Sequence, residues 1–303
     1  MTPSMISTLQ FLCALLLAPL LQGLINRAKA IVAGRHGQPL LQPWYDIARL
    51  LSKGAVYSRT TTWIFRAGPV LGVAASVVAL AILPWAGAPA LISFPGDIVL
   101  FAGVFGLARF LTILAALDTG SAFEGMGASR EAWFSALTEP ALLLALAALA
   151  RISGSLSLSG MLVGAPVGTG VGAALFLAAG TAFVIYLAEN SRIPVDDPTT
   201  HLELTMVHEV MVLDHGGIDM AYIQYGAALK LWVLGGLAVS IVLPRTGAWS
   251  VDLAIGLGGI ALVGVATGVV ESVTARLRLV RVPQLLVAAL AMAALAFALA
   301  AVK

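Results

Sequence analysis

Hydrophobic positions run along this chain in long blocks, and polar positions collect in a few short stretches between them. A run long enough to cross about 30 Å of hydrocarbon needs roughly 20 residues. Eight such runs occur, at 5–26, 65–86, 97–117, 134–152, 168–188, 218–243, 250–273 and 283–302. The fourth opens on Thr138-Glu139-Pro140, which places a carboxylate at the mouth of a span. The pattern predicts an all-α polytopic membrane protein with about eight transmembrane helices, forming a single integral membrane domain over 1–303. Met5–Ile25 lacks a basic leading region and a small-residue cleavage site, so it is expected to be a retained span.

Composition strengthens this picture. The chain is 60% hydrophobic and 11% charged, with a mean hydropathy of +0.98, too apolar for the surface of a water-soluble fold of this length. A net charge of +2, with no basic run interleaved with aromatics, gives no reason to expect nucleic acid as a partner. The one cysteine, Cys13, excludes an intrachain disulfide and any cysteine-held zinc or iron–sulfur centre. Of 17 basic residues, 12 fall in or at the edge of the loops after the first, third, fifth and seventh runs. Only Arg151, Arg245 and Lys303 fall on the opposite side, while Arg109 and Lys230 lie inside spans. The positive-inside rule then predicts cytoplasmic polar loops and both termini outside.

Three of those loops carry the candidate chemistry. The first opens with Gly34-Arg35-His36-Gly37 and continues through Gln42-Pro43. Pro43 fits a first helical turn, and Ile47, Leu50 and Leu51 recur at helical spacing. A short amphipathic helix at the membrane surface is predicted, either as a plain anchor or as a docking surface for a soluble partner. The second loop, 118–139, has glycines at 120, 125 and 127 that permit close packing or irregular backbone. Glu139 at its end is a functional candidate, because a carboxylate at membrane depth needs water or a partner.

The third loop is the most polar part of the chain. Six of the 15 acidic residues lie between Glu189 and Asp214, and three of the four histidines are His201, His208 and His215. Pro194 and Pro198 favour an extended turn over 190–197, and a helix is expected from there to Asp214. On such a helix His201 and His208 would stand about 10 Å apart along the axis, too far to share one metal ion. Val212 occupies the place of the second histidine of a zinc-protease motif. Lys230 and Arg109 inside apolar runs call for partners, although Arg109 could also snorkel.

Together these loops resemble a known family: the membrane subunit at the heel of respiratory complex I and its hydrogenase relatives. Gly34-Arg35…Gln42-Pro43…Asp46…Lys53 is similar to that family's first loop, and Gly127-Ala128-Ser129-Arg130-Glu131…Glu139-Pro140 to its second. Ala188-Glu189-Asn190…Arg192…Pro194…Asp196…Glu203-Leu204…Glu209 resembles its acidic third loop. Thr199, Thr200 and His201 replace acids of the quinone-reducing members, and Gly226 or a neighbour stands where those have a glutamate in the sixth span. His201-Leu202-Glu203-Leu204 and Val207-His208-Glu209 are closer to the formate hydrogenlyase and hydrogenase-4 type, in group 4 nickel–iron (NiFe) hydrogenase complexes. Gly37-Gln38-Pro39 and Gly54 are local departures from the family pattern.

The resemblance implies a subunit that anchors the peripheral redox arm and couples its electron transfer to proton translocation. Glu139, Glu189, Asp196, Asp197, Glu203 and Glu209 would carry or sense the proton, and Lys230 would link them to the next membrane subunit. Arg35, Gln42, Pro43, Asp46, Arg130, Arg192, His201 and His208 would dock the arm. No cofactor or metal is expected in this chain; the NiFe and iron-sulfur centres would sit in partner subunits. Those partners would be the hydrogenase large and small subunits, an iron-sulfur subunit and antiporter-like membrane subunits, in a bacterial or archaeal cell (inner) membrane. The alternatives are the quinone-site subunit of a complex I-type dehydrogenase or, in another class, an autonomous secondary transporter.

Overall fold

A computed structural model of the chain describes residues 2–163, 171–196, 207–243 and 246–302. Eight helices in it are long and apolar enough to cross a membrane. In chain order the helices are α1 (Pro3–Val32), α2 (Gln42–Leu51), α3 (Trp63–Ile82), α4 (Asp97–Asp118) and α5 (Ala122–Ser153). They continue with α6 (Leu158–Val163), α7 (Gly172–Glu189), α8 (Ile218–Val242), α9 (Trp249–Val273) and α10 (Val282–Ala301). Helices α2 and α6 are too short to span. The other eight alternate in direction, so the connections after α1, α4, α7 and α9 share one face, here called the polar-loop face.

Helix α8 is the most enclosed of the spans, with 67% of its apolar window buried. Trp232, Leu229 and Leu234 of α8 join Phe101 and Phe105 of α4 and Tyr186 of α7 in the main core. Small residues set the approach of α9 to α1. A Cβ on Gly264 would meet Leu21 Cδ1 at 2.7 Å, and one on Gly268 would meet Ala28 Cβ at 2.7 Å. The Gly164, Gly168 and Gly172 spacings lie partly outside the described residues.

The predicted surface helix is α2. Ile47 is its buried residue, Trp44 Nε1 donates to Leu16 O of α1 at 3.2 Å, and Trp44 packs on Tyr225 of α8 with ring centroids 6.0 Å apart. Its polar face thus stays free of the bundle while its apolar face is seated on it.

Two expectations need correcting. The second polar stretch is helical rather than a loop: α5 starts at Ala122, not 134, and runs 32 residues through Pro140. At about 48 Å it is longer than the hydrocarbon is thick, so its first turns project at the polar-loop face. They are held there because Glu124, Gly127, Ala128 and Glu131 are buried against the third loop. The helix expected up to Asp214 is also absent among the described residues, where Glu209–Val212 is a single 3-10 turn. Its start is pinned in a non-helical course, since Val207 N and His208 N both donate to Asp196 Oδ2, at 3.2 and 3.3 Å. Asp197, His201 and Glu203 lie outside the described residues.

Candidate functional site

Arg109 sits in the middle of an apolar helix, and the fold surrounds it with carboxylates. Its side chain is 5% exposed. A buried guanidinium is tolerated only when its charge and donors are matched. Glu131 and Glu139 are eight residues apart on α5 and therefore share a helix face. Arg109 Nε lies 3.0 Å from Glu131 Oε1, and Nη1 donates to Glu139 Oε1 at 2.5 Å. Nη2 donates to Glu189 Oε1 of α7. Thr138 Oγ1 donates to that same oxygen at 3.0 Å, and Lys230 Nζ of α8 takes the other, Oε2, at 2.7 Å.

The array continues toward the polar-loop face. His208 Nε2 lies 3.1 Å from Glu131 Oε2, and His208 Nδ1 lies 3.7 Å from Asp196 Oδ2. Arg276, in the α9–α10 connection, donates from Nη2 to Asp196 Oδ1 at 2.7 Å. Arg276, Asp196, His208, Glu131, Arg109, Glu189 and Lys230 thus form one ladder of alternating charge. It leads from the loops to the interior of the bundle.

Close packing holds the turn that carries His208. A Cβ on Gly127 would meet Val210 Cγ1 at 2.3 Å and Val207 O at 2.8 Å, so only glycine lets the turn lie on α5. Gly217, at φ +56, closes the same segment, where a Cβ would meet Gly54 O at 2.4 Å. Gly54, a departure from the family pattern, is therefore the backbone against which the end of the third loop rests. His215 stacks on Phe65 at 3.8 Å.

Electrostatics of the loop groups follow from these contacts. Burial opposes a charge on His208, yet Glu131 and Asp196 outweigh it and push its pKa up to about 9. Burial likewise opposes ionisation of Asp196, but His208 and Arg276 hold its carboxyl below the usual range. For His215 burial prevails over Asp219, and its pKa is lowered.

A second buried group lies beside the ladder. Glu271 of α9, its side chain fully buried, has Lys29 Nζ of α1 at 2.8 Å and Arg192 Nη1 at 3.4 Å. Leu277 N donates to Pro194 O at 3.0 Å. Together with the Arg276–Asp196 bond, these contacts fix the 190–196 turn to the end of α9.

The sequence candidates therefore divide. Glu139, Glu189, Asp196 and Lys230 come together in one network, and Glu209 is half-buried in the 3-10 turn. Lys230, expected to reach a neighbouring subunit, instead turns inward to Glu189; Glu139, 45% exposed, is the member that opens outward. Among the docking candidates Arg35 is exposed, whereas Arg192 is buried and His208 lies within the ladder. Gln42 Nε2 donates to Asp46 Oδ1 at 2.8 Å, Pro43 lies in the first turn of α2, and Arg130 is half-buried on α5. Reading the sequence set Arg109 apart as a mid-span cation in need of partners without placing it in the site, and it missed Glu131 and Glu271 as members. The available signal was that a mid-span arginine demands carboxylates, and Glu131 and Glu139 have the spacing to supply two.

A cavity of about 140 Å³ opens beside the ladder. Arg109, Glu131, His208 and Lys230 contribute its polar wall, and Val73 and Phe105 its apolar one. Among the described residues no group of three or more His, Cys, Asp or Glu is arranged to hold a metal ion.

Eight spans enclosing a ladder of paired charge beneath polar loops define a polytopic membrane protein with a charged interior. The family is the one described as NADH dehydrogenase: its model matches residues 5–302, and the chain belongs to it. Formate hydrogenlyase subunit 4 of Escherichia coli (strain K12) is 31% identical over 303 residues, covering 95% of this chain and 96% of that protein. Hydrogenase-4 component C of the same organism is 30% identical over 250 residues, covering 81% and 77%. A chain of the membrane-bound sulfane sulfur reductase, an archaeal respiratory membrane complex, shares the fold with a TM-score of 0.83, at 22% identity and 98% coverage of each chain.

Proposed function

We propose that this chain is the membrane subunit of a group 4 NiFe-hydrogenase-like complex of the formate hydrogenlyase or hydrogenase-4 type. It anchors the peripheral redox arm and couples electron transfer there to proton translocation. The two relatives above, similar over most of their length, support the hydrogenase branch. The observation that carries the coupling is Arg109 bridging Glu131, Glu139 and Glu189, with Lys230 on the far oxygen of Glu189. Charged groups this close respond to one another, so a change of charge at the loops is felt at mid-membrane depth.

The NiFe and iron-sulfur centres belong to the partners, the hydrogenase large and small subunits and an iron-sulfur subunit, which dock on the polar-loop face. That face is cytoplasmic in a bacterial or archaeal inner membrane, in keeping with the excess of basic residues in its loops. An antiporter-like membrane subunit covers the α4–α5 face. Glu139 is half exposed there beside Gly106, near the middle of α4. Contact with lipid would cost a carboxylate about 2.5–3.5 kcal/mol, which a protein neighbour removes.

The test is Glu139→Gln and Glu189→Gln in membranes where co-purification confirms the intact complex. Hydrogen turnover should lose its coupling to a proton gradient while the arm stays bound. Wild-type coupling in both variants would return these acids to a structural role.

A further inference from the structure

The proton-coupling reading leaves open where the ladder takes up its proton, and one residue is placed for it. Among the described residues of the ladder and its Glu139 branch, Arg276, Arg109 and Lys230 are the fixed cations, set against four carboxylates: Asp196, Glu131, Glu139 and Glu189. His208 decides the balance. Protonated, it makes this set neutral; unprotonated, it leaves one excess negative charge at membrane depth. His208 also lies where the loops meet the bundle. Its backbone N donates to Asp196, its ring lines the cavity, and Nε2 lies 3.1 Å from Glu131 Oε2. Among the described residues, the charged groups placed around it are Glu131 of α5, Arg109 of α4 and Lys230 of α8, which line the same cavity, Asp196 and Arg276 of the connecting segments, and Glu209 on its own turn.

We propose that His208 is the proton-loading residue of this subunit, passing its Nε2 proton to Glu131, with the Asp196 carboxylate 3.7 Å from Nδ1. In the transfer the His208 Nε2–H bond breaks and a Glu131 Oε2–H bond forms. Imidazolium and carboxylate become imidazole and carboxylic acid, and the total charge is unchanged. Neutral Glu131 then binds Arg109 more weakly, which leaves the guanidinium to Glu139 and Glu189 on the membrane side. Position supports the assignment, because His208 joins the loop segment to the Arg109 cluster. So does its pKa of about 9, which keeps the ring loaded with a proton at neutral pH.

This inference rests on the proton-coupling reading, and its test separates the two. In membranes holding the intact complex, protons translocated per hydrogen turned over are measured for wild type, His208→Gln and His208→Lys. Both variants should fall at least about tenfold, because Gln carries no proton to pass and Lys keeps the charge beside Glu131 but holds its proton more tightly than the imidazole. Wild-type coupling should decline as pH rises through about 9, and the variants should lack that limb. Normal coupling in the Lys variant would make His208 a fixed counter-charge, and normal coupling in Gln would remove it altogether. If both His208 variants keep coupling while Glu139→Gln and Glu189→Gln lose it, only the loading role fails; if all four keep it, the coupling reading fails. A measurement without substitution at 208 covers poor assembly: infrared difference spectra of the wild-type complex during turnover. Loss of an imidazolium signal together with gain of a glutamic acid signal is expected, the latter absent in Glu131→Gln. A glutamic acid signal with an unchanged imidazole overturns the proposal.

Discussion

Lys230 Nζ lies 2.7 Å from Glu189 Oε2, and the other oxygen of that carboxylate is held by Arg109. One buried anion thus joins a cation of α8 to a cation of α4 across α7. Removing one cation from such a set leaves a buried charge undercompensated, at a cost of about 3–5 kcal/mol where the pair is fully enclosed. Lys230 is 21% exposed at its side chain, so Lys230→Met should cost less than Arg109→Met. The latter leaves three carboxylates facing one another. Thermal unfolding of the two purified variants checks the order, and equal losses would mean that Arg109 does not organise the cluster.

Gly127 gives a steric prediction. A Cβ there meets Val210 Cγ1 at 2.3 Å and a backbone carbonyl, Val207 O, at 2.8 Å, so Gly127→Ala must displace the 207–212 turn. Overpacking of this kind costs about 1–3 kcal/mol. The larger effect is functional, because the turn carries His208 away from Glu131. Coupling should fall while α5 still inserts. Gly125→Ala, one residue pair away with only Leu117 Cδ2 at 4.0 Å, is the matched control and should behave as wild type.

These two positions also show what could be read from the chain alone. The eight spans were legible because an apolar run of about 20 residues has few other fates. The inner end of α5 was not, since Glu124 and Glu131 are polar in sequence yet buried by a loop from elsewhere in the fold. Glu139, Glu189 and Lys230 stood out as charges in apolar surroundings. Arg109 stood out equally, but snorkelling offered a sufficient local explanation, and its partners come from α5 and α7. Glu271 sits near the end of a span where a carboxylate attracts little notice; its partners Lys29 and Arg192 are far away in sequence. The helix expected up to Asp214 failed over residues 207–214 for a related reason. Local spacing favoured it, whereas the Asp196 carboxylate takes the amides of Val207 and His208.

The anchoring of that segment should depend on pH at both ends of the range. His208 is raised from 6.5 to about 9 in the fold. Its stabilisation is therefore complete below about pH 6.5 and is lost as pH rises through about 9. Asp196 is lowered from 3.8, so its contribution is present above that value and lost as pH falls through its lower folded pKa. Protection of the Val207 and His208 amides, taken as exchange relative to an unstructured peptide at the same pH, should be greatest between these limits and fall on either side. A flat profile would show that the charged contacts do not hold the turn.

Orientation is open to a direct check. Reporter fusions after residues 55, 125, 205 and 279 should all report the cytoplasm, because these positions lie in or beside the polar loops, where 12 of the 17 basic residues fall. Residue 125 now lies in the first turns of α5 rather than in a loop, but on the same face. An external signal at any of the four would reverse the assignment of the docking surface.

The cavity beside Lys230 is the feature that would suit a quinone-reducing relative, so its use distinguishes the two branches. It holds about 140 Å³ between the charged ladder and an apolar wall. A ring entering there would have to lie against Arg109 and Lys230, both already committed to carboxylates. On the hydrogenase reading, the space serves water beside Glu131 and His208, and added short-chain quinone should be neither reduced by hydrogen nor inhibitory. Gly72 lines the cavity, and a Cβ there meets nothing within 4 Å. Gly72→Leu should therefore fill the space without straining the fold, slowing proton translocation while leaving the arm attached. Hydrogen-dependent quinone reduction by the wild-type complex, abolished in Gly72→Leu, would move the chain to the quinone branch and make the cavity a substrate site.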